Sequence, residues 1–229
     1  MANTSAKSSD PNQLTLYHYW RSSCSWRVRW ALAIKGVSWR SETVDLLHNG
    51  QHSPDFLAIN PSGSVPALTV AGETFGESLA ILEWIEETWR AKPLLPQDPL
   101  SRMRVRQLCN TIVSGIQPLQ NLSPQRKHSS DPAAQASWAR YWIERGLAVY
   151  EKLLHSGRPG SFSFGGHVTL ADLCLVPQCY NAERYGVVLD HYPTIKRIYR
   201  ACLATPECDA SAPHNQPGAQ LLASGPAKR

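Results

Sequence analysis

The chain has 229 residues, 42% of them hydrophobic and 18% charged, with a formal net charge of +5. That is enough apolar side chain for one large core or two smaller ones, and no apolar run approaches the about 20 residues that span a bilayer. The arginines are spread along the chain without a reading motif, which argues against a nucleic-acid binder and suits a small anionic substrate.

Residues 1–13 form a polar extension with no apolar stretch of the kind a secretory signal needs. Residues 14–20 then read as a strand. Residues 24–35 read as a helix, with Val28, Ala31, Leu32 and the stem of Lys35 at helical spacing and Gly36 ending it. A second strand is expected over 39–46. Ser53-Pro54-Asp55 starts a short helix, a capping hydroxyl followed by proline at the first helical position, and Asn60-Pro61 stops it. Residues 65–70 and 73–75 flank Ala71-Gly72 as a hairpin, and Ser78 is expected to cap a helix over 79–90 with Leu79, Leu82, Ile85 and Trp89 on one stripe.

The order strand, helix, strand, helix, strand, strand, helix is that of a thioredoxin-like fold: a parallel pair made by a crossover, extended by an antiparallel hairpin. This assigns an α/β domain to residues 14–92 and a proline-containing linker to 93–98. Helical segments follow at about 99–122, 133–155, 170–184 and 192–203, so residues 99–212 read as an all-helical domain. Within it, Thr169 to Asp172 has the spacing of a capping box. Residues 213–229 are rich in Pro, Gly, Ala and Ser, a tail that orders only by lying on the body. The six cysteines, at 24, 109, 174, 179, 202 and 208, show neither a C-x-x-C pair nor zinc spacing. They read as reduced thiols of a cytoplasmic enzyme, and no metal is expected.

Three distant segments converge at the C-terminal edge of the parallel strands, where open α/β sheets place their ligands. The run Ser22-Ser23-Cys24-Ser25-Trp26-Arg27 crowds hydroxyls and a thiol onto a helix N-terminus, where unpaired N–H groups and the macrodipole favour an anion. The anion is a thiolate, either of Cys24 or of a bound thiol held by a serine. Val65-Pro66 is a place for a cis bond that exposes the Val65 backbone to an extended ligand. Glu77-Ser78 puts an acid, for an ammonium, beside a hydroxyl and helix start, for a carboxylate. Together these describe a site for a thiol tripeptide with a free amino-acid end, namely glutathione. Arg27 and Arg29 read equally well as a solvated helix face, and Trp26 and Trp30 as core.

With these residues in hand, the chain resembles the zeta class of glutathione transferases, the class that includes maleylacetoacetate isomerase. The resemblance runs from about Leu14 to about Gln216 and rests on SSCSWRVRWALAIKG at 22–36, NPSGSVPAL at 60–68, ESLAILEWIEE at 77–87, LLPQDP at 94–99, GIQPLQNL at 115–122 and VTLADLCLVPQCYNAERYGV at 168–187. It implies a homodimer in which Ser22 donates its hydroxyl to the glutathione thiolate, with Ser23 and Cys24 beside it. It also implies that Gln51, Val65, Glu77 and Ser78 hold the tripeptide. Gln117 and Asn121 then reach toward glutathione and substrate, and Arg184 binds a substrate carboxylate. Many members have glutamine where this chain has Glu77; the acid still accepts from an ammonium.

The implied reaction is cis-trans isomerisation of a maleylacetoacetate-type keto dicarboxylate, with Arg184 or Arg21 supplying positive charge to the developing enolate. Maleylpyruvate isomerase and a transferase dehalogenating small α-halo acids are the alternatives within the class. A glutaredoxin-like role for Cys24 is disfavoured because Ser25, Trp26 and Arg27 follow it, leaving no resolving cysteine. A scaffold that kept the shape and lost activity is disfavoured because both the hydroxyl run and Glu-Ser are present.

Overall fold

The computed structural model describes residues 14–156 and 159–219; the polar extension 1–13 and residues 220–229 of the expected tail lie outside them. Four strands, β1 (Thr15–His18), β2 (Arg40–Thr43), β3 (Ala67–Val70) and β4 (Glu73–Phe75), form one sheet in the order β2-β1-β3-β4. β1 runs parallel to β2 and antiparallel to β3, with Leu16 opposite Leu68, both inaccessible to solvent. Both turn residues of the β3–β4 hairpin have positive φ, Ala71 at 49° and Gly72 at 84°. That is the type I′ pattern, whose twist matches the strands it joins.

Helix α1 (Ser23–Lys35) closes with Gly36 in the left-handed region at φ 67°, its N–H on the Ala33 carbonyl and the Val37 N–H on that of Leu32. α3 (Ser78–Thr88), α8 (Leu170–Arg184) and α10 (Pro206–Ser211) pack around it, and its apolar side chains share one core with Leu16 and Leu68 of the sheet. Only Cys24, Ala33 and Lys35 of α1 are part-exposed; Trp26, Val28, Trp30, Ala31 and Leu32 are buried, and so are Arg27 and Arg29. The solvated-face reading of the two arginines is therefore incorrect. The short helix α2 (Pro54–Ile59) begins as its sequence predicts, with Ser53 Oγ accepting from the Phe56 N–H.

Residues 91–98 carry no regular element, yet Leu94 and Leu95 are 1% and 3% exposed. Glu86 explains this: its carboxylate accepts from both Leu94 and Leu95 amides and from Lys35 Nζ, tying the segment to α1 and α3. Beyond it come α4 (Pro99–Val113), α5 (Gln117–Gln120), α6 (Leu122–His128), α7 (Pro132–Ser156), α8, α9 (Pro193–Leu203) and α10.

The continuous helix expected over 99–122 is thus broken into pieces. Ser114 and Gly115 both bond back to the Asn110 carbonyl, ending α4, and a Cβ on Gly115 would lie 2.5 Å from the Thr111 carbonyl oxygen. Gly146, mid-helix in α7, lets Ile116 approach to where a Cβ would be 2.1 Å away, which sets α5 against α7.

At the start of α8, Asp172 is fully buried and accepts from the Thr169 N–H and hydroxyl and from the Ser163 N–H, the capping box the spacing predicts. Desolvation pushes its carboxyl above the ordinary range while these bonds pull the other way. Of the tail, residues 213–219 lie on the body: Pro213 is buried, and Gly218 sits where a Cβ would be 3.3 Å from the Trp20 ring. Among the described residues, no helix is long and apolar enough to cross a membrane.

Candidate active site

The first turn of α1 forms the floor of the site. Ser22 is the N-cap, half-buried, with Oγ accepting from the Ser25 N–H at 3.2 Å. One lone pair is thereby used, and the Ser22 hydroxyl hydrogen remains to be donated. Ser23 is buried beside it and Cys24 is half-buried; the other five cysteines are all buried, so Cys24 alone among the six thiols reaches the surface.

Arg27 lies one turn further on and gathers the rest. Its Nη1 donates to Ser78 Oγ at 3.1 Å, to Gln117 Oε1 at 3.4 Å and to Cys24 Sγ at 3.7 Å. Three elements separated in sequence meet there: the first turn of α1, the start of α3 and the start of α5.

The start of α3 differs in one detail from its expected form. The N-cap is Glu77, not Ser78, with the Glu77 carbonyl accepting from Ile81 N–H and Ser78 as the first helical residue. Glu77 holds φ 59° and ψ 101°, a sparsely populated region for a non-glycine residue that costs about 1–3 kcal/mol and is typical of functional positions. Its side chain is exposed while Ser78 is buried, so the acid and the hydroxyl face different surroundings.

Val65 and Gln51 meet through their loops. The Val65–Pro66 peptide is cis, and among the described residues neither the N–H nor the C=O of Val65 has a hydrogen-bond partner. Asn60 clasps this loop, its Nδ2 on the Ser64 carbonyl and its Oδ1 accepting from Ser62, and a Cβ on Gly76 would lie 3.6 Å from Asn60, which links the loop to Glu77. Gly63 holds φ 58° where a Cβ would be 3.2 Å from the Gln51 carbonyl oxygen. Gln51 itself keeps Oε1 buried with no partner. Unpaired backbone at Val65, an orphaned amide oxygen at Gln51 and unpaired nitrogens on Arg27 fit a peptide-like anionic ligand spanning these segments.

Arg184, at the C-terminus of α8, is solvent-reaching and donates to Asn181 Oδ1 at 3.0 Å. Desolvation, and then the charge of Arg21, hold it below the ordinary arginine range, with Tyr180, Tyr185 and Tyr19 around it. Arg21 lies over the Trp20 ring at 5.3 Å. Two cations close enough to feel one another's charge suit a dianion. Asn121, in contrast, is exposed at the α5–α6 junction, and no hydrogen bond joins it to this cluster; the buried glutamine there is Gln120, paired reciprocally with Gln178.

Two residues were not singled out from the sequence. Arg27 was open to a surface reading, although its helix offers no continuous polar stripe, the available sign that it would be covered. Tyr19 is buried with its hydroxyl unpartnered and lies among the neighbours of Arg184; nothing in its local sequence marks it.

A sheet of this topology carrying a thiol site at the start of α1, followed by a helical bundle, defines a glutathione transferase. Residues 21–88 match the family described as glutathione S-transferase, N-terminal domain. The maleylacetoacetate isomerase of Rattus norvegicus is 47% identical over 204 residues, covering 88% of this chain and 93% of its own. A maleylacetoacetate isomerase from Anaeromyxobacter dehalogenans, solved with glutathione in its active site, is 44% identical with a TM-score of 0.82, covering 90% of this chain and 98% of its own. A maleyl pyruvate isomerase described as a bacterial zeta-class transferase is 37% identical with a TM-score of 0.86, over 89% of this chain and 99% of its own. The chain belongs to the glutathione transferases and, within them, to the zeta class of maleylacetoacetate isomerases.

Proposed function

We propose that the protein is a glutathione-dependent cis-trans isomerase of maleylacetoacetate-type keto dicarboxylates. The observation that carries the reading is the placement of Cys24, Ser78 and Gln117 around Arg27, one turn from the Ser22 hydroxyl at the start of α1. Glutathione, when bound, supplies a thiolate whose reversible addition to the alkene turns a double bond into a rotatable single one.

The residues of this chain do the rest. Ser22 donates to the sulfur, and the first-turn amides of α1 add their positive partial charge. Val65 pairs with the tripeptide backbone, with Gln51 beside it. Glu77 takes the ammonium, and Ser78 with the start of α3 takes the carboxylate at the amino-acid end. Gln117 closes the site from the helical side, and Asn121, four residues on at the α5–α6 junction, faces the substrate. Arg184 and Arg21 hold the substrate carboxylates and balance charge that develops on the keto-enol side.

In this reading residues 14–92 are the glutathione domain and 99–212 the substrate domain. Six free cysteines support a reducing, cytoplasmic setting. A homodimer is supported by an apolar groove of about 340 Å³ between the β3–β4 hairpin and α3, lined by Val70, Phe75, Ala80 and Trp84 and by none of the site residues. Phe75, Leu100 and Met103 are 49%, 55% and 61% exposed, and the Arg106–Glu83 ion pair joins α4 to α3 on that side.

The test is a glutathione-dependent absorbance assay with maleylacetoacetate and maleylpyruvate side by side. Faster turnover of the former, only with glutathione present, is expected. Faster turnover of the latter reassigns the substrate, and full turnover without glutathione overturns the reading.

A further inference from the structure

We propose that Arg27 is a positioning residue: one buried guanidinium that fixes Ser78, Gln117 and Cys24 as a single unit and places its charge behind the sulfur anion. The inference rests on the glutathione reading above and deepens it.

The contrast with Arg29, two residues on in the same helix, carries the argument. Both arginines are buried, at 0% and 1% exposure. Every nitrogen of Arg29 is used: Nε donates to the Ser211 carbonyl, Nη1 to His18 and the Tyr19 carbonyl, Nη2 to the Trp20 carbonyl. That is a side chain holding the fold together. Arg27 bonds through Nη1 alone, and its buried Nε and Nη2 meet no acceptor. Among the described residues no carboxylate forms an ion pair with it. A fold gains nothing from burying a cation in this way unless its field or its bonds serve something else.

Its bonds have a directional consequence. A guanidinium only donates, so each partner must offer it an acceptor. Ser78 gives up its oxygen lone pair and turns its hydroxyl hydrogen away from Arg27; Gln117 gives up Oε1 and turns its amide hydrogens away. Two side chains that can either donate or accept thereby become donors of fixed direction, the polarity an anionic ligand requires. Cys24 Sγ accepts from the same nitrogen, so the charge lies within one side chain's reach of the start of α1. Cys109 on α4 and Cys174 on α8, both fully buried, also lie within the field of Arg27, and the buried Asp172 near them is committed to its cap.

The experiment uses Arg27→Met, which keeps length and removes charge and donors, and Arg27→Lys, which keeps charge without the fork. Glutathione affinity is measured by calorimetry, and the protonation of bound glutathione by the ultraviolet absorbance of its thiolate across pH. For R27M, affinity falls at least about tenfold and the thiolate midpoint rises; R27K keeps the midpoint near wild type while affinity stays weakened. Adding Ser78→Ala to either variant costs less than about twofold more, although S78A alone in the wild type costs several-fold, because the donor it removes is no longer aimed.

R27M binding within about twofold of wild type at an unchanged midpoint overturns the inference and leaves the glutathione reading standing. Should R27M not fold, R27K decides: losses from R27K and S78A that multiply fully overturn it, and losses that do not multiply support it. A wild-type protein that binds no glutathione overturns the reading and this inference together.

Discussion

Arg29 Nη1 meets His18 Nδ1 at 3.3 Å beneath α1, and because arginine only donates, that nitrogen must keep its lone pair. The proton of the neutral ring is therefore on Nε2, which faces Ser41 Oγ at 2.7 Å. Burial first, and the Arg29 charge second, hold His18 down at about 3 against an ordinary 6.5. The unfolded chain takes up a proton near 6.5 and the native one only near 3, so in that window the unfolded state binds the extra proton. Stability is thus complete above the upper value and is lost as pH falls through the window, by up to about 5 kcal/mol at its bottom. Urea midpoints of wild type and His18→Asn between neutral and mildly acidic pH check this: the variant is less stable at neutrality and shows a shallower acid slope. Equal slopes would contradict it.

Ser22 caps α1 and, in the proposed mechanism, donates to the thiolate, so its replacement has two separable effects. Ser22→Ala lowers isomerase turnover at least tenfold, about 1.4 kcal/mol of transition-state stabilisation, and costs about 1 kcal/mol of stability as a lost cap. Ser22→Thr restores both. Ser22→Asn restores the cap, read as thermal midpoint, without the activity. Cys24→Ala does less damage to turnover than Ser22→Ala; the reverse order would move the activating role to the thiol.

Much of this arrangement was legible in the sequence where the cause is local. Ser53-Pro54, Thr169 with Asp172, and Gly36 fix helix ends through bonds within a few residues, and Ala71-Gly72 fixes a hairpin. What escaped is set by partners far along the chain. The burial of Arg27 and Arg29 depends on α8 and α10 covering α1 from roughly 140 to 180 residues away, which no window around the arginines reveals. The break after Val113 depends on Ile116 packing over Gly146, and the Gln120–Gln178 amide pair on a similar distant match. Glu77 as cap was hidden because Ser78 is the commoner capping residue. Its positive φ is imposed by the loop it leaves, not by its own preference.

Glu86 connects three parts of the fold through a single carboxylate. Glu86→Ala leaves the buried Leu94 and Leu95 amides without acceptors and Lys35 Nζ without its anion. The cost is about 3 kcal/mol, or roughly 6 to 12 °C in thermal midpoint for a chain of this size. Glu86→Gln retains an acceptor and loses about half as much. Calorimetry of the two variants measures the difference, and both should keep their affinity for glutathione.

Phe75 tests the proposed dimer face. It is half-exposed at the rim of the apolar groove and belongs to no part of the glutathione site. Phe75→Asp places a charge there without disturbing a buried residue, so a homodimer sealed on this face dissociates. Sedimentation velocity should show the wild type at twice the monomer mass and the variant at the monomer mass. A variant that remains dimeric places the interface elsewhere.

In the proposed function, Arg184 is the residue whose role depends on substrate charge. It lies beside Arg21 with its charged form destabilised by desolvation and by that neighbour, a cost that a bound dianion relieves. Arg184→Ala therefore raises KM for a dianionic keto acid at least about tenfold while changing KM for a neutral haloalkane by less than about twofold. Arg184→Lys recovers part of the dianion effect because the charge remains but the planar fork does not. Because the partner cation stays in place, Arg21→Ala combined with Arg184→Ala loses more than either alone, and the double variant separates carboxylate binding from packing. Equal changes in KM for charged and neutral substrates would remove Arg184 from substrate binding and leave it a surface residue at the end of α8.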